Sequence, residues 1–479
     1  MKRRHVYISI LLSSVMAVVS CGKDFLEEEP SISVSVDKAI QTEGDMLEAL
    51  AGTYRVLNNY YLYGRNALVW GDLLADNVYI SSSTSGRLLP WNNYTYVGNN
   101  AEAGLLWSQN YYAILQANRI LAAGIAETNN ASQLRGEAYA IRAFCYLNLV
   151  NWFAKPHTVN PAADGVPVVT VPANISGAFV KPARNTVAEV YTQIIADLDK
   201  AFAIMPETPP AIHANNTNFI SKYAVKALQA RAFLYKGDYE KARDAALLVV
   251  QKGGYNLAGT AAAFTSYWAS NVTRTDKLET IFELNNSATA NNGVEGLDYM
   301  YARTGLGDLL VTDDTYALYS ETDRRKALIV AGTRAGQQVN YVNKYQNTGV
   351  ADRDEIKLLR YAEVLLTLSE SYARVNDETN ARLYLNMLAK NRDPLLVDYT
   401  YAGPALLDAI LRERRKELAF EGLRFFDLAR TNVNFTRQNM GAKAYSFYVD
   451  VKTTDFRRLM PIPEAELSAN PNVKPNPGY

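Results

Sequence analysis

The densest run of side chains able to engage a polar ligand lies between Gly71 and Tyr96. Asp72, Asp76, Asn77, Tyr79, Arg87, Trp91, Asn92, Asn93, Tyr94 and Tyr96 fall within 25 residues. A flat ring stacks on the apolar C–H face of a sugar, while Asn, Asp and Arg pair with its hydroxyls. Peptides use the same groups, so this mixture leaves glycan and peptide ligands both open. Trp91 and Tyr94 could equally be edge residues of a loop packed on helices. The candidate ligand contacts are Asp72, Asp76, Asn77, Arg87, Trp91, Asn93, Tyr94 and Tyr96. Trp268 of the Tyr267-Trp268 pair and Tyr299 of the Tyr299-Met300-Tyr301 run join them.

Catalytic signatures are missing. The sequence holds no HExxH, no GxSxG, no P-loop and no EF-hand ligand run. Gly305-Leu306-Gly307 lacks the third glycine and the flanking strand of a dinucleotide fingerprint and reads as a turn. Beyond residue 20 the only histidines are His157 and His213, each beside loop punctuation, which disfavours a triad or a zinc site. Acidic pairs such as Asp313-Asp314 are expected in a chain with 49 acids and make no glycosidase case without geometry. No cofactor, metal or catalytic residue is expected. The charged run Glu413–Arg430 is different in kind. Arg414, Arg415, Glu417, Glu421, Arg424, Asp427 and Arg430 alternate with Leu418, Phe420, Leu423, Phe425, Phe426 and Leu428. Arginine and carboxylate at helical spacing amid apolar residues predict partly buried, bidentate ion pairs in a structural network.

The elements that must position these groups are helical hairpins. Ala242, Ala245, Ala246, Val249 and Val250 recur at i, i+3, i+4, i+7 and i+8, one apolar stripe. Gly237-Asp238-Tyr239 separates that helix from one carrying Ala224, Ala227, Ala230 and Ala232, small residues that let a partner approach closely. Small contact residues, a Gly turn and a Tyr opening the second helix look like a tetratricopeptide repeat. A second hairpin spans Leu358–Lys390, and Trp107–Ala123, Gln133–Phe153 and Thr186–Ile204 read as further helices. The last opens on Thr186-Val187-Ala188-Glu189, a capping-box pattern. Between them lie irregular stretches, Asn77–Asn100, Thr158–Arg184, Asn285–Leu309 and Asn391–Gly403, rich in turn formers and Tyr. Val166–Pro172 reads as a short extended segment. The expected fold class is mainly α, with tetratricopeptide-like hairpins as scaffold and a loop-rich irregular part bearing the ligand.

Composition bounds the rest. The 479 residues carry 49 basic and 49 acidic side chains and 48% hydrophobic residues, ordinary for a globular chain. Zero net charge gives no basic face for nucleic acid. Two cysteines exclude a disulfide-stapled fold. There are 32 tyrosines, about one residue in fifteen. Lys2, Arg3 and Arg4 precede an apolar run, Val6 to Val19, that is short for a membrane span and suits a signal peptide. Val18-Val19-Ser20-Cys21 resembles a bacterial lipobox, which makes Cys21 the acylated first residue of the mature chain. Cleavage there removes three of the 49 basic residues and no acidic one, leaving a net charge of −3. The expected organisation is a lipoprotein signal peptide over residues 1–20, a lipidated acidic spacer over 21–35, and a single helical domain over 36–479. Cys145, in an apolar helical stretch, reads as an inert core thiol.

Several long motifs carry a resemblance to a known family. Cys21 with Asp24-Phe25-Leu26 and Pro30 is similar to the opening of SusD/RagB-type lipoproteins of Bacteroidetes. Gly136-Glu137-Ala138 with Arg142-Ala143-Phe144 resembles the family's GEAxxxRAF. Leu359-Arg360-Tyr361-Ala362-Glu363-Val364-Leu365-Leu366 resembles its LRYAEVLL helix. Arg414 to Arg430 resembles RRxELAFEGxRxFDLxR, and Leu459 to Tyr479 its LxPIPxxELxxNP ending, with Lys474-Pro475 as a departure. The resemblance implies a helical, tetratricopeptide-like scaffold with an irregular ligand-bearing part. It further implies an outer-membrane lipoprotein facing the cell exterior. Such a protein would sit as a hinged lid on a TonB-dependent (SusC-like) β-barrel transporter. It would capture an oligosaccharide, or in some members a peptide, without turning it over. The family's ligand contacts vary with substrate, so the resemblance carries no contact residue over. An assembly scaffold that binds no ligand, and a surface hydrolase, remain the readings from other classes.

Overall fold

The structure is a computed structural model that describes residues 39–172, 180–439 and 448–479. The signal segment, Cys21 and the acidic spacer lie outside the described residues.

Among the described residues nine helices reach fourteen residues or more. They are α1 (Glu43–Leu57), α2 (Ala101–Ala122), α3 (Asn129–Phe153), α4 (Val187–Ile204), α5 (Lys222–Lys236), α6 (Tyr239–Lys252), α7 (Tyr361–Arg374), α8 (Glu378–Arg392) and α9 (Gly403–Leu418). Seven start on a Ser, Thr, Asp or Asn whose side chain accepts from a first-turn N–H: Thr42, Asn100, Thr128, Thr186, Ser221, Asp238 and Asp377. At Thr186 the capping box closes, with Glu189 N–H donating to Thr186 Oγ1 at 3.2 Å and Thr186 N–H to Glu189 at 2.7 Å. The α5–α6 turn forms as the spacing dictates: Gly237 ends α5 in the left-handed region (φ 83°) and Asp238 caps α6.

Each long helix packs on the next, and the odd-numbered ones also pack on one another in succession, α1 on α3, α3 on α5, α5 on α7 and α7 on α9. The odd helices therefore form an inner row and the even helices an outer row, the arrangement of stacked helical hairpins. Burial follows from this. In α3, 20 of 25 residues are buried, while in α6 only Ala242, Ala245, Ala246 and Val249 of 14 are. The central inner helix α3 is covered all round, so its sequence lacks a clean polar stripe.

The irregular part holds a four-stranded antiparallel sheet in the order β1-β3-β5-β4, with β1 Val78–Ile80, β3 Leu309–Val311, β4 Ile329–Arg334 and β5 Gln337–Val342. A two-residue turn, Ala335-Gly336, joins β4 to β5 with both residues at positive φ. A second pair, β2 (Thr280–Leu284) with β6 (Ile356–Arg360), leads straight into α7. Val166–Pro172, expected as a short extended segment, pairs with no strand among the described residues. Side chains of α2 and α3 hold it instead: Asn118 donates to Val169 O (3.1 Å) and Val171 O (3.2 Å), and Arg142 to Thr170 O (3.2 Å).

The charged run Glu413–Arg430 is interior. One cluster joins Arg231 of α5, Glu363 and Glu370 of α7, Arg414 of α9, and Asp427 and Arg430 of the short helix Arg424–Arg430. A second joins Arg325, Lys344, Arg360, Arg392 and Lys416 to Glu279, Asp323, Glu413, Glu417 and Glu421. Their buried members are three cations with three anions and five with five, so each buried set is neutral, and the half-buried Arg374 also reaches Glu370 at 3.4 Å. Glu417 receives three guanidiniums: Arg360 at 2.9 Å, Arg392 at 3.0 Å and Arg325 at 3.2 Å. Burial alone would raise its carboxyl, but those three cations hold it well below the usual carboxylate range.

Removing one partner from such a pair leaves uncompensated buried charge, a loss of about 3–5 kcal/mol. Glu417→Ala is expected to lower the urea midpoint by a matching amount, whereas Glu378→Ala, at a half-exposed pair with Arg382, shifts it by under about 1 kcal/mol. Equal midpoints for the two variants would contradict the role given to the network.

Candidate functional site

Three loops meet beyond the inner helices: 58–65 after α1, 81–88 after β1, and 285–299 after β2. Asn58 fastens the first to the third, its Nδ2 donating to Asn285 O (2.6 Å) and Ala290 O (3.0 Å). Asn292 donates back to Asn58 O (2.7 Å), and Leu297 N–H to Gly64 O (2.8 Å). The 81–88 loop is pinned by Asp308, which accepts from Ser85 N–H at 3.1 Å and from Arg334 of β4 at 2.5 Å.

Their common face is polar and aromatic. Arg65 is buried, with its guanidinium between Glu295 and Glu102 (2.9 Å) and 4.9 Å from the Tyr60 ring. Arg87, 39% exposed, donates to the other oxygen of Glu295 at 2.8 Å. Glu295 thus bridges a buried cation and an open one. Burial would raise its carboxyl, but Arg87 and Arg65 keep it below its ordinary value. Tyr60 and Tyr61 are half-buried, their ring centroids 4.0 Å apart at 38° and their hydroxyls hydrogen-bonded. Burial, helped by the Tyr61 hydroxyl, pushes Tyr60 up to about 12, so it stays a neutral donor and acceptor. Tyr299 is half-buried beneath Arg353, whose guanidinium lies 5.6 Å from the ring and donates to Gly293 O (2.8 Å) and Asp298 (3.1 Å). Open rings beside a charged pair and amide-rich turns can stack on and hydrogen-bond a polyhydroxylated ligand. Among the described residues no three His, Cys, Asp or Glu side chains are grouped to hold a metal ion.

Of the ten ligand contacts expected from the sequence, this face includes Arg87 and Tyr299. Asn93 is half-buried elsewhere and accepts from Asn92 at 3.0 Å. The other seven are buried, although Tyr94 and Tyr96 also line the cleft against the C-terminal segment. Trp91 is 3% exposed and stacked on Trp70 (4.4 Å, 15°). Tyr94 stacks on Tyr448 at 4.7 Å and donates to Leu74 O, and Tyr96 donates to Arg457 O. Trp268 lies in a small core with Phe264 and Tyr267, 4.6 Å from Lys344 Nζ, over the ion network. Asp76 pairs with Arg424 (2.7 Å) and Arg415 (3.3 Å). Asn77 donates to Asp72 at 2.7 Å, and Asp72 accepts Phe420 N–H (3.1 Å) and Gly422 N–H (2.7 Å). Gly71 and Gly422 touch back to back: a Cβ on Gly71 would sit 1.9 Å from Gly422 O. These residues bolt the loop frame to the Phe420-Glu421-Gly422 turn. The sequence reading missed Tyr60, Tyr61, Arg65, Glu295 and Arg353. The only signal was the Asn58-Asn59-Tyr60-Tyr61 run, which does not stand out among 32 tyrosines.

The comparisons with known proteins agree with this architecture. Residues 331–479 match the family model SusD_RagB, described as the SusD family, and residues 24–234 a SusD-like model described as starch-binding and associating with the outer membrane. The chain belongs to the SusD family. "SusD-like protein P2" of Formosa agariphila is 26% identical over the whole of both chains. A solved structure of a proposed sugar-binding protein from Bacteroides vulgatus is 28% identical, with a TM-score of 0.84 over 92% of this chain and 100% of that one. A SusD superfamily protein from Bacteroides thetaiotaomicron is 27% identical, with a TM-score of 0.79 over 91% and 100%. The mainly α fold with stacked hairpins is that of the family.

Two predictions follow from burial. Trp91→Ala is expected to cost about 3–5 kcal/mol of stability through its cavity, read as a lower urea midpoint, with ligand affinity unchanged at temperatures where the variant is folded. The second concerns pH. Burial lifts Asp72 to about 6, against the hydrogen bonds it accepts. Burial also lifts Glu355 to about 7, with Thr273 lowering and Glu283 raising it. Glu355 accepts Asn286 N–H (2.8 Å) at the root of the 285–299 loop. Both groups hold protons more tightly folded than unfolded, so stability falls as pH rises through 5 to 7. Melting temperature is expected to be lower at pH 8 than at pH 5, by a smaller margin in Glu355→Gln.

Proposed function

We propose that this chain binds carbohydrate oligomers at the cell surface without turning them over and hands them to a TonB-dependent outer-membrane transporter. The observation that carries the reading is the open face of Tyr60, Tyr61, Tyr299 and the Arg87–Glu295 pair, held on loops fastened to a buried frame. The match to a starch-binding, outer-membrane-associating family model supports the ligand class and the location. The lipobox ending at Cys21 supports a lipid anchor. Among the described residues no helix is long and apolar enough to cross a membrane.

In this mechanism the ligand's apolar sugar face lies against the open tyrosine rings, and its hydroxyls exchange hydrogen bonds with Arg87, Glu295 and the Asn-rich turn. Because Arg65 fixes Glu295 from below, the acceptor is in place before binding and little ordering entropy is lost.

Isothermal titration of the chain starting after Cys21, against neutral glycan oligomers with oligopeptides in the same panel, tests the reading. Binding to one glycan class is expected, with no shortened product after prolonged incubation. Tyr61→Ala and Arg87→Ala should each weaken it about tenfold or more without lowering the melting temperature. Heat with peptides alone would move the chain to peptide capture, and product release would make it a hydrolase.

A further inference from the structure

A second concavity lies apart from the loop site and shares none of its residues. A cleft of about 620 Å³ opens between residues 94–99 and the C-terminal segment, within the ~300–1,000 Å³ typical of small-ligand clefts. Its walls include two rings set as a corner: Phe456 and Tyr479 have centroids 5.0 Å apart at 80°. Phe456 is 36% exposed and Val97 52%. Gly478, at φ 96°, lets the Phe456 ring lie on the backbone, since a Cβ there would sit 2.4 Å from Phe456 Cγ. The ring is therefore held in place while one side stays open.

Beside this corner sits Arg457. Its guanidinium lies 4.9 Å from the Phe456 ring and 5.1 Å from the Tyr448 ring. It is a half-buried cation, and among the described residues no carboxylate lies within ion-pairing distance of it. In this it differs from the arginines around α9, which are neutralised in pairs. Two rings give a platform for an apolar ring face, and an arginine fork gives a bidentate partner for a carboxylate. Exposed Asn99 and Glu464 also line the cleft and can meet hydroxyls.

We propose that this cleft is a second carbohydrate-binding site, selective for a sugar ring that carries a carboxylate, a uronic acid residue. The proposal rests on the reading of the chain as a carbohydrate binder, and it adds an acidic subsite separate from the loop face. The ring lies in the Phe456–Tyr479 corner, and its carboxylate pairs with Arg457.

The test is isothermal titration of the soluble chain, starting after Cys21, with a galacturonic acid trimer and with the neutral oligomer that the loop face binds. Galacturonate binding is expected to fall at least tenfold in Phe456→Ala and in Arg457→Gln, and to weaken as NaCl rises from 50 to 500 mM. The same variants should bind the neutral oligomer as the parent does, and Arg87→Ala should show the reverse pattern. Melting temperatures confirm that each variant is folded. No galacturonate binding by the parent, or binding indifferent to both cleft variants, overturns the proposal. So does a parallel loss of both ligands in folded cleft variants, because the cleft would then be part of one continuous site. So does tighter binding of a carboxylate-bearing aromatic peptide than of galacturonate. Failure of every neutral glycan, with Arg457-dependent galacturonate binding intact, would instead overturn the loop-face reading and leave the cleft standing.

Discussion

The structure depends on a set of charges that cannot reach water. Sixteen ionised side chains in two neutral clusters converge on α9 and its continuation, from positions as far apart as Arg231 and Arg430. A lone ion at such depth would cost several kcal/mol, so each must find its partner, and the partners come from different elements. Glu417 requires that the ends of β6 and α8 and the turn at Arg325 all arrive at one helix. Hydrophobic burial draws the hairpins together without direction. The ion pairs, with their fixed fork geometry, select one arrangement among the compact ones.

That arrangement extends to the loops. Arg415 and Arg424 lie beside the clusters and reach Asp76, while Asp72 accepts two N–H groups from the turn after α9. The short helix Asn66–Leu73 and the start of β1 are thereby fixed to the scaffold, back to back at Gly71 and Gly422. This helix carries the 58–65 loop at one end and leads to the 81–88 loop at the other. The open face is built from short, locally hydrogen-bonded loops on a frame that cannot shift without unpairing charge.

Aromatic residues serve both parts, and their burial separates them. Trp70, Trp91 and Trp152 form a stacked and edge-on group inside the frame, and Trp268 covers the ion network. Tyr60, Tyr61, Tyr299 and Phe456 keep part of their surface open. A large flat ring is suited to either task, so residue type alone does not assign it.

The sequence by itself determined the helical hairpins, because caps, small contact residues and 3.6-residue periodicity are local properties: Thr186 with Glu189, the Gly237-Asp238 turn, and the Ala242–Val249 stripe all form as their spacing dictates. It also marked Glu413–Arg430 as an ion-pair segment, since charges amid phenylalanines and leucines have few alternatives to pairing. Tertiary structure alone decided which loop residues face solvent. Asp72, Asp76, Asn77, Trp91, Tyr94 and Tyr96 carry the composition of a binding loop, yet lie under it because their partners at Leu74, Arg415, Gly422, Arg424 and Tyr448 come largely from remote sequence. The three-residue strands β1 and β3 were likewise invisible, too short for a period-2 signal and paired across more than two hundred residues. The open face at Tyr60, Arg87 and Glu295 exists only where three such loops meet, a juxtaposition no local pattern encodes.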